Sequence, residues 1–310
     1  MEWVSPRALP QGLPPSRRCT KLVAVRNRTA TYLSGRHGLV HLLIPLYTEG
    51  FSFFSRKEIF HAIIPTFPYG LTSLVYSIII PAYNEESNIA HALQETCHYF
   101  STLQTPFEII IVNDGSQDRT GDVVKNHQRS MPQLRLVTLS PNQGKGSAVR
   151  AGVCAARGDI ILFLDTDLST HPTQFKTFLP HLNRADILIG SRGLPASHIT
   201  VYQPWYRSWT GKLFNRLIRH LFSLPFRDTQ CGFKVFHRRT LAIFEEQQTT
   251  GWAFDVELLV RARQHGFRIK ELPVHWKNDP HSKVKISSFF ALVKELHRIR
   301  RITHSKKSRS

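Results

Sequence analysis

The most regular part of the chain begins at Leu74, where a continuous β-branched and apolar run, Leu74 to Ile80, ends at Pro81 as a buried parallel strand should. Ser87 stands as an N-cap before Ile89, Ala92, Leu93, Cys97 and Phe100, which recur at helical spacing. The unit then repeats. Phe107 to Val112 is apolar, Asp114-Gly115-Ser116 turns the chain, a polar helix-like stretch follows, and Leu134 to Leu139 predicts a third strand. Ser147 to Ala156 suits a helix, Ile160 to Leu164 a fourth strand, Pro172 the start of another helix, and Ile187 to Ile189 part of a fifth strand. Alternation of this kind predicts an α/β fold, a mostly parallel sheet with helices on both faces.

Beyond Arg192 the pattern is less regular. An aromatic and basic helix is expected from about Trp205 to Phe222, a strand near Phe233 to Phe236 and a helix over Asp255 to Gln264, walling one side of a cleft. Residues 1–73 carry scattered Pro, Arg and Ser with no sustained period of two or of 3.6, and are expected to form a loosely packed upstream extension. The pattern therefore divides the chain into residues 1–73, a domain over 74–285 and a basic amphipathic tail over 286–310.

Composition changes the picture through charge. Of the 310 residues 41% are apolar and 20% charged, ordinary for a folded domain, but the formal net charge is +19. Such a field attracts polyanions, whether nucleotides, nucleic acid or an anionic bilayer, without choosing among them. Cys19, Cys97, Cys154 and Cys231 lie far apart, which fits neither a zinc site nor a compact disulfide framework and suits a reducing cytoplasm. The run from Leu39 to Tyr47 is short, and Pro65, Pro68 and Gly70 break the stretch from Ile59 to Ile80, so a peripheral rather than a membrane-spanning protein is expected.

In open α/β sheets ligands sit beyond the carboxyl ends of the strands. Three polar clusters fall there: Tyr83-Asn84-Glu85, Asn113-Asp114-Gly115-Ser116 and Asp165-Thr166-Asp167. Asp165 and Asp167, two residues apart in extended backbone, would point to one side and could hold Mg²⁺ or Mn²⁺ against a diphosphate; the alternative is a cap or turn role. Asn142-Gln143-Gly144-Lys145-Gly146 is either a phosphate cradle of backbone amides or a tight turn into a helix, and it matches neither the ATPase nor the dehydrogenase glycine pattern.

Taken together, Pro81-Ala82-Tyr83-Asn84-Glu85-Glu86, Asn113 to Ser116, Asn142 to Gly146, Asp165-Thr166-Asp167, Gly190-Ser191-Arg192, Asp228 to Lys234 and Trp252 to Glu257 resemble, in order, the family 2 glycosyltransferases of the Rossmann-like GT-A fold. They are most similar to the dolichyl-phosphate β-glucosyltransferase and polyprenyl-phosphate glycosyltransferase branch, over about Leu74 to Lys285. The resemblance implies an inverting enzyme that moves a hexose, glucose from UDP-glucose, to a dolichyl or other polyprenyl phosphate. It places Pro81, Tyr83, Glu85, Val112, Asp114, Lys145, Asp165, Thr166 and Lys283 around the nucleotide sugar, with Asp114 accepting from the uracil N–H. Asp165 and Asp167 would hold the metal, Arg192 and Arg207 would meet the acceptor phosphate, and Asp228, Asp167 and Asp255 would stand at the reacting centre. Read on their own, Asp228 also suits a turn and Asp255 an N-cap. Asn113 departs from the family, which usually has Asp there.

The tail extends this expectation to a membrane surface, on the cytoplasmic face. Phe289, Phe290, Leu292, Val293, Leu296 and Ile299 offer apolar contact, and Lys294, Arg298, Arg300, Arg301, Lys306, Lys307 and Arg309 meet anionic headgroups; the alternative is a solvated tail after a core helix. Two rivals stand beside this reading. One is a different donor or acceptor, such as GDP-mannose or a saccharide hydroxyl. The other is a non-catalytic nucleic-acid module using Trp205, Trp209 and their arginines, disfavoured because acidic residues recur after the strands.

Overall fold

The computed structural model describes residues 22–26, 29–33, 39–43, 74–201, 205–278 and 287–304, and the chain divides into two compact units at Gly70 and Leu71. In the first unit β1 (Leu22–Arg26), β2 (Thr29–Leu33) and β3 (Leu39–Leu43) form an antiparallel three-stranded sheet. Each strand has five residues, too short for alternation to stand out from its surroundings.

The second unit is built on β4 (Tyr76–Ala82), β5 (Phe107–Asp114), β6 (Leu134–Leu139), β7 (Ile160–Leu164), β8 (Ile187–Ser191), β10 (Phe233–His237) and β11 (Ile269–Pro273). They form one sheet in the order β11-β8-β10-β7-β4-β5-β6, parallel throughout except for β10, which runs against both neighbours. A separate parallel pair joins β9 (His198–Val201) to β12 (His275–Lys277). β4 runs one residue past Pro81, because its pairing with β7 stops at Ile79 and the missing proline N–H leaves no ladder bond unmade on that side.

Successive side chains of the central strands go to opposite faces. Ile78, Ile80, Ile109, Ile111 and Leu162 pack under α1 (Ile89–Ser101), α2 (Thr120–Gln128) and the short helical turns around Phe175 and Phe178. Ile79, Ile110, Val112, Ile161 and Phe163 pack under α3 (Lys145–Ala155), α4 (Trp205–Phe222), α5 (Phe254–Gln264) and α6 (Ser287–His304). With Ile79 wholly buried, its truncation to alanine costs about 3 kcal/mol.

Two expectations change. Asn88, not Ser87, is the N-cap of α1, and the Glu85 carbonyl takes the amides of Asn88 and Ile89. The amphipathic C-terminal helix is no free tail: Leu296 and Ile299 are buried in the core of its unit, so these two apolar side chains are not available to a bilayer. Phe289, Phe290, Leu292 and Val293 have side chains outside the described residues, as do Lys306, Lys307 and Arg309 as whole residues. Among the described residues no helix is long and apolar enough to cross a membrane.

Candidate active site

The strand ends of β4, β5 and β7 deliver their polar clusters to one edge of the sheet, and β10 begins at that same edge because it runs the other way. Asp165 donates its amide to the Gly232 carbonyl at 3.2 Å, which fixes the segment Asp228–Gly232 beside the end of β7. A Cβ on Gly232 would stand 1.8 Å from an Asp165 carboxylate oxygen, so only glycine lets that carboxylate occupy its place.

Asp165 Oδ1 pairs with Lys145 Nζ at 2.8 Å. Lys145 is the first residue of α3, and Gly144 before it adopts φ +92° while the Thr250 carbonyl lies where a side chain would begin. The ammonium sits 4.8 Å from the ring centroid of Trp252 and 5.5 Å from that of Phe163. Burial works against its charge, yet Asp165 first, then Asp255 and Asp167, hold the lysine above its ordinary range.

Asp167 reaches solvent and has no ion pair among the described residues; its Oδ1 accepts from the Ser169 amide at 2.9 Å. Desolvation and the Asp165 charge push its carboxyl above the usual range. The two acids do not share an extended strand. β7 ends at Leu164, the Leu168 amide turns back to the Asp165 carbonyl, and Leu168 takes φ +50°. A turn, not strand alternation, brings the carboxylates together, because Asp167 binds the backbone two residues ahead.

Asp255 lies in the first turn of α5 and is not its N-cap, which is Ala253. Its carboxylate turns inward to Lys234 Nζ at 2.6 Å, and both groups are nearly sealed from water. Burial raises the Asp255 carboxyl, with Lys234 and Lys145 acting against the rise. Asp228 is equally committed. It accepts from Arg192 Nε at 2.6 Å, from the other arm of that guanidinium at 3.0 Å, and from the amides of Arg192 and Gln230. Burial opposes its ionisation, but Arg192 and these amides hold it down to about 2. Glu271 on β11 supports the pair by accepting the Asp228 amide at 2.8 Å, and the Trp276 ring lies 5.4 Å from the Arg192 guanidinium.

On the β5 side Tyr83, Asn113, Ser116, Thr138, Leu139, Pro141 and Asn142 line a cavity of about 440 Å³. Glu85 holds Asn88 at 2.8 Å and gives its amide to Thr120, while the Thr166 hydroxyl donates to the Pro81 carbonyl at 2.7 Å, joining the first and third clusters. The Asp114 carboxylate accepts the amides of Gln143 and Gly144, each at 2.8 Å, and the Asn142 side chain at 3.0 Å, so it ties two loops together beside the cavity. One expectation changes here. Those amides are consequently used, and the Gly146 amide is taken by the Thr250 carbonyl, which makes Asn142 to Gly146 a braced turn and not a cradle of free N–H groups. The Val112 side chain is wholly buried in the core against α3 and lines no cleft. Lys283 and the Arg207 side chain lie outside the described residues.

Sequence reasoning missed Lys234, Trp252 and Gly232 as participants. A visible signal existed for one: a lysine inside the apolar run Phe233 to Phe236 must find a buried partner. Among the described residues, the ammonium groups of Lys145 and Lys234 are paired with Asp165 and Asp255, while Asp167 has no ion pair. No cluster of three or more His, Cys, Asp or Glu fit for a protein-only metal centre occurs among the described residues. Two hard carboxylates with surplus negative charge suit an ion such as Mg²⁺ or Mn²⁺ that draws its other ligands from substrate and water.

The family model "Glycosyl transferase family 2" matches residues 77–244, more than half the chain. The chain belongs to glycosyl transferase family 2. This glycosyltransferase is 37% identical over 240 residues to a dolichyl-phosphate beta-glucosyltransferase of Trichomonas vaginalis, with 73% of each chain covered. It is 32% identical over 240 residues to the Homo sapiens protein of the same name, covering 72% of this chain and 74% of that one. Among solved structures, glucosyl-3-phosphoglycerate synthase of Mycobacterium tuberculosis with Mn²⁺, UDP-glucose and phosphoglyceric acid superimposes with a TM-score of 0.55 at 16% identity, over 74% of this chain and 79% of that one. At that identity the likeness is one of fold, and the fold it shares is GT-A.

Proposed function

We propose that this family 2 glycosyltransferase moves glucose from UDP-glucose to dolichyl phosphate or another polyprenyl phosphate in one inverting displacement. The observation that carries the reading is the cationic Lys145 held beside Asp165 and Asp167 at the carboxyl end of β7, with a cavity of about 440 Å³ beyond β5 that has room for a nucleoside. The names of the relatives point to the same sugar and acceptor.

In this reading Tyr83 offers a face for the base, and Asn113 and Ser116 polar atoms around it. Asp165 and Asp167 hold Mg²⁺ or Mn²⁺, which supplies positive charge against the leaving diphosphate. Lys145 adds a second positive charge on that side, already desolvated and fixed by Trp252 and Asp165 before substrate arrives. Arg192 contributes on the acceptor side, with Asp228 keeping its guanidinium in place. A phosphate monoester has a second pKa near ~6 and arrives largely ionised, so no base need remove a proton. Asp228, with its oxygens engaged by four donors, is then a positioning residue.

A peripheral location at the cytoplasmic face of a membrane accords with a lipid acceptor and with the exposed Lys294, Arg298, Arg300 and Arg301 of α6. Purified protein given UDP-glucose, a polyprenyl phosphate and Mg²⁺ is expected to release UDP and form the glucosyl lipid. Product from GDP-mannose and none from UDP-glucose would overturn the donor assignment.

A further inference from the structure

The segment Gln248–Ala253 carries Trp252 over the Lys145 ammonium, and it is anchored from three directions. The Glu257 carboxylate accepts the amides of Gln248 and Thr249, the latter at 2.6 Å. The Thr250 carbonyl accepts the amides of Gly146 and Ser147, the first turn of α3. The third anchor comes from the C-terminal helix: Glu295 Oε2 accepts the Ala253 amide at 2.9 Å. Its other oxygen lies against Gly251, where an added Cβ would stand 2.1 Å away.

We infer that Glu295 is a positioning residue for the donor site, holding Trp252 and through it Lys145 in place from α6. The inference rests on the reading of Lys145 as a diphosphate-side charge. Three features support a role beyond helix packing. Leu296 and Ile299 already secure α6 through the core, so fixing the helix does not require Glu295. Its carboxylate reaches the backbone on both sides of Trp252, at Gly251 and Ala253. Ala253 is the N-cap of α5, whose first turn carries Asp255 against Lys234, so one anchor constrains both ammonium groups of the cluster.

Lys145 gathers the diphosphate before reaction as well as during it, and losing such uniform binding raises KM while sparing kcat. In the full chain, Glu295→Ala should raise the KM for UDP-glucose about tenfold with kcat held within about twofold. Glu295→Gln keeps an oxygen for the Ala253 amide and should stay within about twofold of wild type in both constants. A second readout is acrylamide quenching of Trp252, taken as the difference between each protein and its Trp252→Phe counterpart. Quenching should rise in Glu295→Ala and stay native in Glu295→Gln.

Gly251→Ala, which crowds the carboxylate without removing it, should reproduce both effects and add nothing to Glu295→Ala; it also serves if the latter fails to fold. Native quenching together with a native donor KM in Glu295→Ala, or in Gly251→Ala if that is the variant that folds, overturns the inference. So does a tenfold loss in Glu295→Gln equal to that of the alanine. If wild type releases no UDP from any donor, the proposed function fails, while the quenching series still decides whether Glu295 holds Trp252.

Discussion

Lys145 Nζ and Asp165 Oδ1 stand 2.8 Å apart, and the contact joins the first residue of α3 to the residue just beyond β7. The pair is a compromise between two uses of one carboxylate, since Asp165 is expected to serve the metal as well as the lysine. Replacing Lys145 with methionine keeps the stem over Trp252 and Phe163 but removes the charge. A loss of about 10²-fold in kcat/KM is expected, read by UDP release, with the far-ultraviolet spectrum unchanged.

Asp167 separates stability from activity. Its carboxyl is raised above the usual range, so the folded chain holds that proton more tightly than the unfolded chain. Folding therefore loses stability as pH rises through the ordinary aspartate range into the raised one. Asp167→Asn removes that loss and should melt higher than wild type at pH 8, the gain disappearing in melts well below pH ~4. Activity should fall at least about 10²-fold.

Gly232→Ala tests how tightly the start of β10 confines the Asp165 carboxylate. The new methyl would collide with Asp165 at 1.8 Å and must displace it or the backbone. Activity is expected to fall about tenfold or more, and a higher Mn²⁺ concentration should recover part of it, as measured by a metal titration at fixed UDP-glucose.

Asp228 and Arg192 should show in the acid limb of stability. The Asp228 carboxyl is lowered from 3.8 to about 2, so the folded chain resists its protonation. The stabilisation is full above the ordinary value and is lost as pH falls through about 2, a contribution of about 2 kcal/mol. Urea melts between pH 5 and pH 2 should be flatter for Asp228→Asn than for wild type. At pH 7 the same variant should also be less stable than wild type, because it leaves a half-buried guanidinium poorly matched.

Much of the fold was legible because its central strands are continuous apolar runs. β6, β7 and α4 begin and end where the pattern placed them. The direction of β10 was not legible, since an antiparallel strand inserted among parallel ones leaves the same run of apolar residues. Nor was the fate of Asp114, whose partners at Gln143 and Gly144 lie about thirty residues away and are backbone amides without sequence identity. Asp165 and Asp167 could be singled out by position after a strand, but Lys234 and Asp255 meet only once β10 and α5 are packed. The inner face of α6 looked like a membrane stripe because a core-facing and a lipid-facing helix share one periodicity.

The reversed strand also bears on how this enzyme can diversify. Donor-side groups come from the tails of forward-running strands, whereas Asp228 arrives ahead of a strand that runs back from the rim. If Asp228 and Arg192 serve the acceptor as proposed, changes at the exposed positions between α4 and Asp228, namely Ser223, Pro225 and Arg227, can reshape what receives the sugar without disturbing Gly232 and the Asp165 it confines, and new acceptor preferences should be sought there.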